Sequence, residues 1–310
     1  MDLNLSDKIA AVNRMQEYIA AHLDGEITLE ALGAAAGYSK YHAARTFGEL
    51  TGRTPFAYIR AMRLTRAAQS LRDGGGPTRS ASPVIDAALD SGFDSHEGFT
   101  RAFMREFGIT PRKYAHETPA VRYFVPYPVA HAHIFSEEVE PMQNEKVSRT
   151  VTVTAIERPA RKLILQRAAK AKDGDYFAFC EEMGCEWEGL LGSIAEKFDS
   201  PALLTLPPNL VKPGTSNTAA GVEVPADYAK PIPAGYDVID LPPCTMLYFI
   251  GARYDNEDDF CVAIGIAWQA MDAYDPAPFG RQYAPELAPR FNFGASAATG
   301  AKQAVPAKAA

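Results

Sequence analysis

Three sets of residues in this 310-residue chain have types and spacings that could do chemistry. The first is basic. Lys40, Arg45, Arg53, Arg60, Arg63, Arg66 and Arg72 stand against one acid, Glu49, between residues 40 and 72, while the whole chain carries a net charge of -7. Phe56, Ile59, Met62 and Leu64 interleave with them at helical spacing. A solvated face mixes both signs, so a single-sign face points to phosphate contact. The second set is aromatic: Trp187, Tyr228, Tyr248, Phe249, Tyr254, Trp268 and Tyr274, accompanied by Glu181, Glu182 and Glu223. Rings beside a carboxylate suit an organic cation, at about 0.5–2 kcal/mol per ring. The third is four cysteines, Cys180, Cys185, Cys244 and Cys261, with no CxxC spacing. They read as small packing residues of a reduced protein and not as a disulfide framework. No phosphate-cradling glycine loop, metal cluster or nucleophile elbow appears, so no cofactor, metal or catalysis is expected.

The elements that must position the basic set are visible as an internal repeat. A shift of 56 positions lays Ser39 on Ser95, Arg45 on Arg101, Phe47 on Phe103, Gly52 on Gly108, Thr54 on Thr110, Pro55 on Pro111 and Tyr58 on Tyr114. Gly37-Tyr38 matches Gly92-Phe93 one residue out of register. Each copy reads helix, glycine turn, helix, the helix-turn-helix pattern. Thr28 and Ser39 cap successive helices, Gly37 and Gly52 stop them, and Thr54-Pro55 opens the next. The second copy runs Val84–Ser91, Gly92, Ser95–Phe107, Gly108, Thr110-Pro111. The connector from Pro55 to Arg72 is about 27 Å long, a little under one DNA turn of about 34 Å. A plain αα-hairpin used for packing is the bland alternative.

The blocks GYSKYHAARTF, TGRTPFAYIRAMRLTRAAQSLRD and SGFDSHEGFTRAFMREFGITPRKYA resemble the two-headed DNA-binding domain of AraC/XylS-type transcription regulators, over about residues 8–116. The resemblance implies an all-α tandem helix-turn-helix domain on double-stranded promoter DNA, with RNA polymerase as a further partner. It also implies that the second helix of each head enters a major groove. By position, Tyr41 and Arg45 then reach base edges, with Ser39, Lys40 and His42 beside them. Ser95, His96, Glu97, Arg101 and Arg105 hold the corresponding face of the second head, and Arg53, Arg60, Arg63 and Arg66 lie along the backbone. Glu97 departs from the neutral amide often found there; it accepts from cytosine and is repelled by phosphate. Neither His42 nor His96 has a second ligand at metal spacing, so both read as surface or DNA-facing.

Residues 117–146 are expected to be a linker, rich in proline and carrying the acidic run Glu137-Glu138-Val139-Glu140, with short extended pieces at Val121–Val125 and His131–Phe135. From Val147 the pattern becomes α+β. Strands are expected at 147–156, 202–206, 219–224, 236–241 and 245–254, with weaker ones near Gln282 and at 290–293. Helices are expected at 175–198, broken near Gly184, and at 257–274. This order gives a pseudo-duplicated βαββ unit, its antiparallel sheet covered by helices on one face. CEEMGCEWEGLLGSI, LPPNLVKPGTSNTAAGVEVPADY and GYDVIDLPPCTMLYFIGARY resemble the GyrI-like effector-binding domain over about 147–293. That implies a groove for a small, lipophilic or cationic effector at Trp187, Glu182, Glu223, Tyr228, Tyr248, Tyr254 and Trp268. Both tryptophans also fit plain helix cores, and Glu181 and Glu182 fit solvated helix charges. The tail 294–310 is small, polar and basic, and reads as disordered, with Gln303 about where relatives carry an acid.

The leading reading is therefore a one-component regulator that binds DNA and senses a small molecule. A GyrI-like hydrolase using Glu182 or Glu223, and a constitutive DNA binder whose second domain makes protein contacts, are the alternatives. The N-terminus has no apolar export core, and the longest apolar run, near Met246–Ile250, is too short for a bilayer; a cytoplasmic protein with no membrane partner is expected.

Overall fold

The structure, a computed structural model, describes residues 5–73, 93, 95–129 and 147–310. The chain divides into two compact units, Met1–Glu138 and Val139–Ala310. No helix among the described residues is long and apolar enough to cross a membrane.

The first unit is helical: α1 (Leu5–Ala21), α2 (Leu29–Ala36), α3 (Lys40–Thr51), α4 (Pro55–Arg72), α5 (His96–Phe107) and α6 (Pro111–Glu117). The expected caps form. Thr28, Ser39, Thr54, Ser95 and Thr110 each accept a hydrogen bond from the backbone N–H three residues on, satisfying a donor that the helix leaves open. Gly37, Gly52 and Gly108 stop α2, α3 and α5 at φ of 71°, 68° and 70°, where a side chain would be strained. Two cores result. Ala11, Val12, Met15 and Ile19 of α1 pack with Leu32, Phe47, Tyr58 and Ile59. Leu64, Ala67, Ala68 and Leu71 pack with Phe99, Phe103 and Tyr114. Thus α4 buries its first half in one head and its second half in the other.

The expected linker is corrected in its first part. Val121 and Tyr123 are buried in the second core, and Val129 in the first, which Phe124 also packs against. Gln16 donates to Tyr127 O (2.8 Å) and accepts from Val129 N (3.0 Å), while Phe124 N donates to Thr65 Oγ1 (2.8 Å). Residues 118–129 are a strap along α4 and belong to the first unit. The expected helix 84–91 and the extended piece 131–135 lie outside the described residues.

The second unit holds β1 (Val151–Arg158), β2 (Arg161–Arg167), α7 (Tyr176–Met183), α8 (Trp187–Gly192), β3 (Ala202–Thr205), β4 (Thr218–Pro225), β5 (Asp237–Leu241), β6 (Cys244–Gly251), α9 (Phe260–Ala273), β7 (Arg281–Tyr283), β8 (Arg290–Ser296) and β9 (Gly300–Ala309). All pairings are antiparallel, in the order β1-β6-β9-β8-β3-β4-β2-β5, with β7 also on β9. Leu163, Leu165, Leu204, Ala219, Met246, Tyr248, Phe291 and Ala304 share one core on one sheet face. Leu247, Phe249 and Val305 face oppositely and pack on Met271 and Trp268 of α9. Gly184, at φ 79°, ends α7 where the break was expected.

Two expectations fail here. Strand β2 was not anticipated, so α7 follows two strands instead of one. Its Leu163-Ile164-Leu165 is buried on both faces and shows no alternation. The tail is not disordered: β9 lies between β6 and β8, and Ala301, Ala304 and Ala307 are fully buried. Pro306 fits inside it because its carbonyl accepts from Ala284 N on the β7 side. Its nitrogen faces that same side, so the ladder to β6 loses no bond.

Candidate nucleic-acid interface

Capping by Ser39 starts α3 at Lys40 and thereby sets which residues face outward. Ala43, Thr46 and Phe47 are buried, which leaves Tyr41, Arg45 and Glu49 as an outer row one turn apart. Tyr41 is 76% exposed, with the Lys40 ammonium 5.4 Å from its ring. Arg45 donates toward His42 Nδ1 (3.2 Å) and lies 3.7 Å from Glu49. His42 in turn stands edge-on to Tyr38. It therefore positions Arg45 and is not a lone surface group. Lys40 pairs with Glu30 at 2.6 Å, which holds that carboxyl below its usual value.

The second head repeats the arrangement. With Phe99 and Phe103 buried, α5 presents Glu97, Arg101 and Arg105 as its outer row, and His96 is exposed at its first turn. Ser39 and Ser95 spend their hydroxyls as caps, on His42 N (3.4 Å) and Gly98 N (3.1 Å).

Along α4 and the turn before it, the arginines separate into two groups. Arg60 is exposed, and Arg53 is exposed over the Phe124 ring at 4.9 Å. Arg63 instead donates to Leu23 O (2.9 Å) and to Gly25 O, closing the turn that follows α1. Arg66 pairs with Asp24 in that same turn. One residue escaped the sequence reading. A Cβ on Gly33 would come within 2.9 Å of Tyr38 O and 3.1 Å of Lys40 N, so this glycine permits the close approach of α2 to the start of α3. Its only sequence signal is a glycine inside an otherwise helical run.

In the second unit the expected ligand residues stand in different settings. Trp187 is buried core, edge-on to Phe179 at 6.1 Å. Tyr228 and Tyr254 are 8% and 7% exposed. Glu223 is 5% exposed and accepts from Arg161 Nε at 2.5 Å, with Arg158 Nε 3.7 Å away. Burial pushes its carboxyl up, and the two guanidiniums draw it down. Its charge is thus already answered within the protein. On the same sheet face Tyr248 accepts from Arg158 (2.6 Å), and burial pushes its hydroxyl up to about 12. Lys302 sits 5.0 Å over the Tyr248 ring and 4.5 Å over Phe293, paired with Asp199 at 2.6 Å. Gln303, fully buried, bonds Asn292 (2.8 Å).

Glu182 and Trp268 line one opening. A cleft of about 800 Å³ is lined by Lys170, Lys172, Asp173, Glu181, Glu182 and Trp268, among others. Glu182 accepts from the backbone N–H groups of Ala169, Lys170 and Ala171 at 2.7–3.0 Å. Burial raises its carboxyl, and these donors outweigh that and leave it below the usual value. Trp268 carries the Arg290 guanidinium over its ring at 4.5 Å.

Residues 32–117 match the helix-turn-helix domain family model. The chain is 40% identical over 108 residues to the right origin-binding protein of Escherichia coli K12, a match covering 35% of each chain. It is 35% identical over 105 residues to the regulatory protein SoxS of Salmonella typhimurium, covering 34% of this chain and 92% of that one. Among solved structures, a probable AraC family transcriptional regulator from Rhodopseudomonas palustris is 34% identical with a TM-score of 0.31, covering 34% of this chain and 94% of the other. The chain thus spans about a third of the length of the first of these relatives and nearly all of the other two.

Proposed function

Since this chain belongs to the AraC family, whose members similar to it include DNA-binding transcription regulators, we propose that its first unit reads promoter DNA with α3 and α5 in successive major grooves. The observation that carries this is the outer row of each helix, Tyr41-Arg45-Glu49 and Glu97-Arg101-Arg105, exposed in the same register 56 residues apart. Arg45 and Arg101 are the bidentate readers of guanine, Tyr41 an apolar contact, and Glu97 an acceptor for cytosine N4. Lys40, His42 and His96 flank them, and Arg53, Arg60 and Arg105 contact phosphate, with RNA polymerase engaging the bound complex. The cap and turn bonds of Ser39, Ser95 and Arg63 support positioning roles for these three. A footprint with a salt-dependent affinity series tests the reading. Protection of two sites one helical turn apart is expected, and a single protected site would overturn the two-headed arrangement.

The second unit, in this reading, is a GyrI-like effector domain. Its strand order supports an internal duplication, because β1, β2, β3 and β4 exchange with β5, β6, β8 and β9 when the order is read backwards. The effector occupies the cleft at Glu181 and Trp268 and not the Glu223 face, whose carboxylate is already paired with Arg161 and Arg158. Its four acids, Asp173, Asp175, Glu181 and Glu182, outnumber Lys170 and Lys172, which favours an organic cation. Tetraphenylphosphonium should quench the fluorescence of a Trp187→Phe variant and not of Trp268→Phe. Equal quenching of both would sink the assignment.

A further inference from the structure

The strap 118–129 reaches both heads with adjacent residues. Tyr58 and Tyr114 are equivalents in the repeat, and each meets one ring of the strap. The buried hydroxyls of Tyr114 and Tyr123 share a hydrogen bond of 2.7 Å. Tyr58 stands edge-on to Phe124, ring centroids 4.9 Å apart, and edge-on to Phe47 at 5.2 Å. The Phe124 N–H donates to Thr65 Oγ1 at 2.8 Å, which fixes the strap on α4 at this residue. Phe124 is half-buried, and the Arg53 guanidinium lies over its ring at 4.9 Å.

We propose that Phe124 is a positioning residue of the DNA interface, its ring holding the Arg53 guanidinium ready for a backbone phosphate. This rests on the reading of Arg53 as a phosphate contact. The main chain of Arg53 is already fixed. Gly52 precedes it at φ 68°, and Thr51 Oγ1 accepts from Arg53 N (3.3 Å) and donates to Arg53 O (3.0 Å). Its side chain is not tied in this way. Arg45 lies beside Glu49, Arg63 donates to Leu23 O and Arg66 pairs with Asp24, whereas Arg53 has no acidic partner among the described residues. A ring attracts a cation through its quadrupole and uses none of its N–H donors, so the guanidinium stays able to bind phosphate oxygens in pairs. Holding the long side chain beforehand also removes part of the rotamer entropy that binding would otherwise cost.

The duplication shows that this device serves the first head. A shift of 56 positions lays Ile109 on Arg53, and Ile109 packs against the second core. At that end of the strap the Tyr123 ring lies 6.0 Å from the Arg72 guanidinium, which is bound to Asp73 at 2.7 Å. Of the two cations beside these strap rings, Arg53 is the one without an acid among the described residues.

The test uses the full-length protein and a DNA duplex of arbitrary sequence about three turns long, at about 34 Å each, because a phosphate contact is independent of sequence. Affinity is measured for the wild type, Arg53→Ala, Phe124→Leu and the double variant. Phe124→Leu should weaken binding about two- to fivefold when Arg53 is present, the worth of one exposed cation–π contact, and no further in the Arg53→Ala background. Phe124→Tyr, which keeps the ring, should bind as the wild type does. Equal losses from Phe124→Leu with and without Arg53 would overturn the proposal and leave the phosphate contact of Arg53 standing. No loss in Arg53→Ala would overturn the phosphate contact and the positioning role with it. A second measurement needs no substitution at Phe124. In the wild type free of DNA, the Arg53 Hδ protons, assigned by their absence in Arg53→Ala, should resonate upfield of those of the exposed Arg60, shifted by the Phe124 ring current. Coincident resonances would overturn the stacking even where Phe124→Leu folds poorly.

Discussion

Replacing Arg63 and Arg60 one at a time separates anchoring from phosphate contact on a single helix. Arg63 makes two charge-assisted bonds to the carbonyls of Leu23 and Gly25, one part-buried and one exposed. Such bonds contribute about 1.5–3 kcal/mol each when buried; with one of the pair wet, Arg63→Ala should destabilise the first unit by about 2 kcal/mol. Arg60 is exposed on the same helix. Its removal should change stability by less than about 0.5 kcal/mol and lower the slope of log affinity against log salt by about 0.9, one phosphate contact. Urea unfolding followed by far-UV circular dichroism reports mainly the helical first unit. Fluorescence reports the second, where both tryptophans lie. A reduced salt slope in Arg63→Ala with unchanged unfolding would refute the anchoring role. An unchanged slope in Arg60→Ala would remove the connector from the DNA interface.

Arg45→Ala should weaken specific DNA binding by about 1–3 kcal/mol and relax selectivity at one or two base pairs, measured by competition against single-base operator variants. A chain ending at Thr299 should lose the cooperative fluorescence transition of the second unit, because β6 and β8 both lose the strand between them; an intact transition would contradict the central place of β9. Glu223→Gln should destabilise the second unit by about 3 kcal/mol in urea, since it leaves the fully buried Arg161 side chain without its ion partner. Glu182 has a folded pKa below the usual carboxylate value, so its stabilising contribution is present at neutral pH and is lost as pH falls through and below that range. Glu182→Gln should flatten that acid-side loss in a series of fluorescence-detected melts.

Local chemistry made the first unit legible. A capping hydroxyl, a left-handed glycine and a proline in the first turn act within a few residues of themselves, so Ser39, Gly52 and Pro55 mark the same boundaries in the sequence and in the fold. The outer row of α3 follows from its cap by helical geometry alone, and the second copy fixes the register. The second unit was legible where a long apolar run or a long helical spacing stands out, as in β6 and α9. It was not legible in β9, where alanines and Pro306 carry little strand propensity and are strand only because β6, β7 and β8 supply partners from far along the chain. The same distance explains the side chains. The arginine of Arg63, the carboxylate of Glu223 and the amide of Gln16 each look free in the sequence. Their partners, Leu23, Arg161 and Tyr127, stand 40, 62 and 111 residues away. Residue type and spacing determined which groups could do chemistry here; tertiary packing decided which were already committed, because a buried charge or polar group must find its partner wherever the fold brings one.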